Sequence, residues 1–479
     1  MIMTAIGDTD FGVQIGIGFV GKVVTAVLGL IGSIVVARIV GPAGYGVFYI
    51  SLSLSQFIEN PITGWSTACK KRMTESDFDT AEAFGSVLLV IFITILVGGP
   101  ITYFILDAIV DGHVIPIAVP LLFIAASSYW ALNMFLSGRT NFSLSIWSGS
   151  LNTLIQIVGK VTLVVMGFGV WGMIGGTVIG PLVVLPVLFY WIGVRPSIPS
   201  WKSVKSIAAY ARWSIPSGFL GTALSRMDMV LLGWLVTASV AGKYQVALQI
   251  TMPAIFISNV ISTGLMGRVS NLESRHQDWK DDLWNSLSYG SILSVPIFFG
   301  SLVIGEELAV TVFGGEYSGA GVFVVGLALY RLIKTQTAPF RSVISGLDRP
   351  DLVFTISLVS FVLNIVSGVG LWWVIGPTGI VIATALTSAV TYLMTVRYIR
   401  IITDIEFLRT LPFYKQIFSG IVMATAVYGA KEMIGTASWL TVIGCVVLGG
   451  LIYGGLEIAL SPHLRATARG VWADFSSRE

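Results

Sequence analysis

Apolar runs of about 20 residues or more, each long enough to cross a hydrocarbon layer, recur along nearly the whole chain. A backbone in lipid must satisfy its own polar groups, and runs of this length do so as helices. Turn and charge punctuation divides the runs into spans. The first six are expected near 13–37, 44–64, 81–106, 114–136, 144–168 and 171–193. The rest are expected near 213–236, 242–266, 286–313, 319–345, 352–374, 377–399, 412–434 and 438–460. The fold class is therefore an all-α polytopic membrane protein with about 14 transmembrane helices. Charged residues are 11% of the chain, less than half the share of about 25% in a soluble domain. No loop exceeds about 20 residues, too short to hold a soluble catalytic domain.

An even number of spans puts both termini on one side. With that side cytoplasmic, its loops and tail hold 19 Lys and Arg. Only Arg38, Lys243 and Lys431 lie opposite, which is the asymmetry of a multi-pass protein of the cell membrane with cytoplasmic N- and C-termini. Met1–Asp10 carries Asp8 and Asp10 in place of a basic leader and reads as a short tail before the first span. Cys69 and Cys445 have no metal-ligand spacing, and no disulfide is expected between them. The net charge is +3 and no basic patch is interleaved with aromatics, so nucleic acid is not an expected partner. The stretch 196–212, with Trp201, Lys202, Lys205 and Tyr210, reads either as an interfacial amphipathic helix or as a plain linker.

The two halves overlay. Gly169-x-x-Gly172-Met173 with Thr177 recurs 207 residues later as Gly376-x-x-Gly379-Ile380 with Thr384. Gly18-Phe19-x-Gly21 recurs as Gly218-Phe219-x-Gly221, and Ala43-Gly44 before Tyr45 recurs as Ala241-Gly242 before Tyr244. Six spans per half give a parallel repeat about an axis along the membrane normal. The domains expected are an N-lobe at 1–194 (spans one to six), a cytoplasmic linker at 195–212 and a C-lobe at 213–400 (spans seven to twelve). Residues 401–479 then hold spans thirteen and fourteen and a cytoplasmic tail.

Six bases remain at membrane depth: Lys22, Lys160, Arg226, Arg331, Lys334 and Arg341. An ionised group facing lipid costs about 3 kcal/mol or more, so such residues face a cavity or a partner. Arg331, Lys334 and Arg341, at i, i+3 and i+10, share a face of span ten. Lys22, Arg226, Arg331 and Lys334 are the candidate lining of a phosphate- and glycan-binding cavity, since converging Arg and Lys suit phosphate oxygens. Arg341 and Lys160 lie near enough to span ends to snorkel instead. The acids at comparable depth are Glu59 and Asp228. Lys22 and Glu59 fall at similar depth and suit an ion pair. Asp228 points to another helix face than Arg226 and is either partnered elsewhere or a titratable coupling group. Asp107 with Asp111, and Glu306 with Glu307, sit in short loops without a supporting His or Asn. A transporter is therefore expected rather than an enzyme, with no metal or cofactor.

Ala37-Arg38-Ile39-Val40-Gly41-Pro42-Ala43-Gly44-Tyr45-Gly46-Val47-Phe48 resembles the opening signature of the polysaccharide and oligosaccharide (Wzx-like) flippases. Asp228 with Leu231-Leu232-Gly233, then Gly242, Tyr244 and Ala247, is similar to that family's seventh and eighth spans. Gly346 before Asp348-Arg349-Pro350, then Asn364 and Gly376-x-x-Gly379, is similar to its tenth to twelfth. The superfamily also holds MATE-type multidrug exporters and lipid II flippases. The resemblance implies alternating-access transfer of a polyprenyl-phosphate-linked (undecaprenyl or dolichyl) sugar or oligosaccharide to the outer leaflet. Membrane lipid and glycosyltransferases of the same pathway are the partners it implies. A MATE-type cation or small-molecule antiporter is the rival; it predicts about twelve spans and an acid-led cavity.

Overall fold

The computed structural model describes residues 11–73, 79–109, 115–139, 142–403, 413–435 and 438–460, leaving aside the side chains of 11–23, 105–109 and 142–143. Among the described residues every regular element is helical. Ten helical stretches there are long and apolar enough to cross a membrane. Two of the ten hold two expected spans each and break where the sequence placed a boundary. Helix α1 (Phe11–Ile58) is broken at Gly41, whose φ of 72° and ψ of 170° leave the helical region just before Pro42. Helices α6 (Phe142–Leu163) and α7 (Gly169–Ile192) are joined by a π-turn in which Gly167 has φ 93°. Expected spans seven and ten correspond to α8 (Trp201–Leu235) and α13 (Gly321–Gly346). Neither is among the ten; between them these two helices carry Arg226, Arg331, Lys334 and Arg341.

The chain folds as two compact units, Met1–Gly242 and Lys243–Glu479. In the first, α1 is followed by α2 (Asn60–Met73), α3 (Thr80–Ile93), α4 (Gly99–Ile109), α5 (Ala118–Gly138) and α6 to α8. Its core joins Ile62, Phe84, Phe123, Tyr129, Phe135, Val184, Leu188 and Ile207. Because α8 packs on α2 and α1, this unit continues beyond the expected 195–212 linker. That linker is only partly a loop. Ser197 N–H bonds to the Ala81 carbonyl at 3.1 Å, Glu82 accepts from Ser200 Oγ at 2.7 Å, and Ser200 caps α8. From Trp201 onward the stretch is helical and runs unbroken into the apolar part of α8.

The second unit contains most of α9 (Ala238–Thr251), then α10 (Phe256–Ser274), α11 (Lys280–Gly290), α12 (Ser294–Phe313) and α13. It continues through α14 (Pro350–Ile375), α15 (Pro377–Thr403), α16 (Phe413–Ile434) and α17 (Trp439–Leu460). Leu265, Val269, Leu283, Phe340, Val343 and Ile356 build one core; Val295, Ile304, Met423, Val427 and Tyr453 build another.

The sequence repeat has matching local structure in the two units. Gly169 and Gly376 have positive φ (52° and 69°) and turn the chain between adjacent helices. Gly172 and Gly379 then press on the backbone ending the preceding helix, at Leu163–Val164 and at Leu371–Trp372, where a Cβ would collide. Thr177 and Thr384 each bond back to the carbonyl four residues earlier, Met173 at 2.8 Å and Ile380 at 3.0 Å.

Candidate functional site

Pro61 has no N–H to give the helix passing from α1 into α2. Asn60 compensates, its Nδ2 donating to the carbonyls of Gln56 (3.0 Å) and Phe57 (3.1 Å). The other end of the amide, Oδ1, accepts from Thr222 Oγ1 of α8 at 3.1 Å. Gly64 lets α8 come close: a Cβ there would lie 2.5 Å from the Ile215 side chain, and Ser214 Oγ reaches the Gly64 carbonyl at 2.8 Å. Phe57 and Phe219 meet edge-on at 5.6 Å. In this register Arg226, one turn beyond Thr222, lies in the field of Glu59 and of Tyr49. Glu59 is 8% exposed, and its Oε2 has no hydrogen-bond partner.

Arg226 of α8 is thus one charge acting on Glu59, besides the Lys22 that the sequence offered. The side chain of Lys22 lies outside the described residues. Asp228 is half-buried on α8, about 200° around the helix from Arg226.

On α13 the spacing Tyr330-Arg331-x-x-Lys334 gathers two cations about one ring. The Arg331 guanidinium is 5.5 Å from the Tyr330 ring centroid and the Lys334 ammonium 5.4 Å. Lys334 Nζ also donates to Tyr330 Oη at 3.1 Å. Arg331 Nε is buried without a partner, and among the described residues neither base is paired with an acid. The polar groups beside them are satisfied: Ser294 and Thr335 share a bond at 3.0 Å, and Gln336 Nε2 reaches the Leu287 carbonyl at 3.2 Å. Arg341, expected on the same face, instead donates to Ser357 Oγ of α14 at 2.8 Å.

The acids weighed for an enzymatic reading have structural work. Glu306 accepts the Gly319 and Gly321 N–H groups, both at 2.6 Å, at the start of α13. Glu307 pairs with Lys431 at 2.5 Å. Asp111 and the side chain of Asp107 lie outside the described residues. Among the described residues no group of three His, Cys, Asp or Glu converges as a metal site, and Cys69 and Cys445 are buried free thiols.

A profile of the polysaccharide biosynthesis proteins matches residues 35–321, more than half of the chain. The chain belongs to the polysaccharide biosynthesis protein family. Among its relatives is the probable low-salt glycan biosynthesis flippase Agl15 of Haloferax volcanii, 26% identical over 468 residues and covering 94% of this chain and 96% of the relative. The probable flippase AglR of the same organism is 25% identical, with 95% of each chain covered. The fold is that of the lipid II flippase MurJ in its inward closed conformation, with a TM-score of 0.78 at 13% identity over 92% of this chain and 98% of that one. The MATE multidrug transporter DinF-BH aligns with a TM-score of 0.59 at 16% identity, over 82% and 95%.

In this family member the glycines of the opening signature serve packing. A Cβ on Gly46 would overlap the Ala238 carbonyl oxygen, and one on Gly242 would overlap that of Pro42. Two backbones therefore touch at positions spaced i, i+4 on both sides, the small-residue contact of membrane helices. Sequence reasoning used these glycines as motif positions; their packing role depends on which helix lies opposite. Tyr330 was missed as a site residue, although it adjoins Arg331. Glu457, a buried acid, was not singled out because it lies near the end of the last span, where an acid passes for an interfacial residue.

Proposed function

We propose that this polysaccharide biosynthesis family protein is a flippase. It moves a polyprenyl-phosphate-linked sugar or oligosaccharide from the cytoplasmic to the outer leaflet for surface polysaccharide or glycoprotein assembly. The observation that carries the reading is the pair Arg331 and Lys334 on α13, two bases gathered on Tyr330 with no acid paired to them among the described residues. The two bases are half-buried, and a phosphate would neutralise them with charge-assisted hydrogen bonds. Similarity to two flippases along nearly the whole chain supports the same reading. A cation exporter of the MATE type needs acids where α13 presents bases.

In this reading Arg226, with Lys22, is an anion-binding group of the first unit, and the nearby Glu59 carboxylate balances the charge of Arg226 when no phosphate does. Substrate phosphate and Glu59 compete for one guanidinium, so Glu59 and Asp228 are the groups through which an ion gradient or the membrane potential enters. Fourteen spans, six-plus-six lobes related by the repeat, alternating access and cytoplasmic termini complete the proposal. Pathway glycosyltransferases supply the substrate on an undecaprenyl or dolichyl carrier. The test is flipping of the host's purified lipid-linked glycan by the full chain in proteoliposomes. Wild type should expose the glycan to an external glycan-cleaving enzyme, and Arg331→Ala/Lys334→Ala should stay at the level of protein-free vesicles. Equal exposure by both would refute the role of the α13 bases.

A further inference from the structure

Helix α8 is about 52 Å long and the hydrocarbon core of a bilayer about 30 Å thick, so one end of α8 projects beyond that core. The stretch Trp201–Trp213 is that end, since it carries Lys202, Lys205 and Arg212. Contacts within the first unit set its beginning level with the ends of neighbouring helices. The Ser197 N–H, just ahead of α8, reaches the Ala81 carbonyl at the start of α3. Arg72 Nε at the end of α2 donates to the Ser206 carbonyl at 3.2 Å, and Arg139 at the end of α5 donates to the Ile192 carbonyl at the end of α7. Ends of apolar helices gathered at one level mark the boundary between lipid and water. Here α8 turns one face to protein and leaves the other bare. Ile207 and Ala211 are buried in the core of the unit, and Ser214 Oγ donates to the Gly64 carbonyl. On the opposite side Trp201, Lys202, Lys205, Ala209, Arg212 and Trp213 fall within a sector of about 120°, and all six are exposed.

From this face we propose that Trp201–Trp213 is a binding surface for the headgroups of acidic phospholipids. Its charge is one-signed. None of its three bases is paired with an acid among the described residues, and the sequence has no Asp or Glu between Asp111 and Asp228. The acids at the start of α3 are engaged, Glu82 by Ser200 Oγ and Asp79 by the Ala81 N–H. Two indoles frame the bases, Trp201 79% and Trp213 65% exposed, with the Arg212 guanidinium 5.6 Å from the Trp213 ring centroid. Indoles at the level where helices end seat in the headgroup layer, and bases beside them reach lipid phosphates. That combination of level, aromatics and bases fits a bilayer surface better than a protein partner. A zwitterionic headgroup carries its own ammonium and is neutral overall, so the surface selects acidic lipids.

The test puts a fluorophore on this face, at Ala209→Cys in the full-length protein lacking Cys69 and Cys445, reconstituted in vesicles of phosphatidylcholine and phosphatidylglycerol. Bromine near the top of the acyl chains of one lipid or the other, at equal mole fraction, reports which lipid lies beside the probe. Brominated phosphatidylglycerol should quench more strongly than brominated phosphatidylcholine, and added salt should weaken the preference. In Lys202→Gln/Lys205→Gln/Arg212→Gln the preference should fall at least about fivefold. Elution as a single species checks that the variant is folded. Equal quenching by the two lipids, or a preference that survives the triple substitution, would overturn the proposal. Quenching by neither lipid would overturn it as well, setting the face clear of the bilayer and open to a protein partner.

Discussion

Arg331 and Lys334 lie on one turn of α13 and share the Tyr330 ring, so each raises the electrostatic cost of the other until an anion arrives. Replacing either by Ala should abolish glycan export in complemented cells while leaving the protein in the membrane. Tyr330→Phe keeps the ring and loses only the bond to Lys334, and should retain most export. Arg226 differs because it faces the buried acid Glu59. Arg226→Ala should lower protein abundance as well as export, since it removes a positive charge acting on the buried Glu59 carboxylate. The double variant Arg226→Ala/Glu59→Gln should restore abundance but not export, as read by immunoblot beside surface glycan. Arg331, Lys334, Arg226 and Glu59 were legible in the sequence, because an ionised side chain inside an apolar run stands out by type and depth. The nearness of Arg226 to Glu59 was not, because it depends on Gly64, Asn60 and Thr222 bringing α8 onto α2.

At the scale of helices, glycine decides which pairs touch. Gly46→Ala and Gly242→Ala each drive a methyl group into a facing carbonyl oxygen and should cost about 1–3 kcal/mol through overpacking. Gly264→Ala on α10, where a Cβ meets nothing within 4 Å, should be neutral or stabilising by about 0.5–1 kcal/mol. Apparent melting temperatures in detergent compare the three. Glu306 orders the turn into α13 through two bonds at 2.6 Å. Glu306→Gln should therefore destabilise by about 1–3 kcal/mol, a carboxylate accepting two N–H groups being replaced by an amide with one acceptor. Helix breaks were legible where glycine and proline punctuate apolar runs, at Gly41-Pro42, Gly169 and Gly376. The helical state of Trp201–Arg212 was left open by sequence, because its aromatics and bases suit a linker as well. The Ser200 cap and the contacts with α3 decide it.

Over the whole molecule, composition and the recurrence of apolar runs made the polytopic all-α class legible, and the order of short motifs pointed to the family whose profile covers residues 35–321. Sequence distributed the bases among helices; the structure shows which of them stand without an acid. Two expected cytoplasmic bases sit at helix C-termini, Arg139 on the Ile192 carbonyl and Lys415 on that of Leu460, where they favour the helix dipole. Cysteines introduced at Arg195 and Lys243 in a background lacking Cys69 and Cys445 should report opposite sides. A membrane-impermeant thiol reagent applied to intact cells should label position 243 and spare 195; the reverse pattern would invert the topology. The central claim, transfer of a lipid-linked glycan between leaflets, is tested most directly by the leaflet distribution of lipid-linked glycans in cells lacking this gene, before and after complementation. Completed lipid-linked glycan should accumulate on the cytoplasmic face, with surface glycan lost. The wild-type gene, but not Arg331→Ala/Lys334→Ala, should restore both. An unchanged lipid-linked pool and unchanged surface glycan, in cells with no second flippase gene, would contradict it.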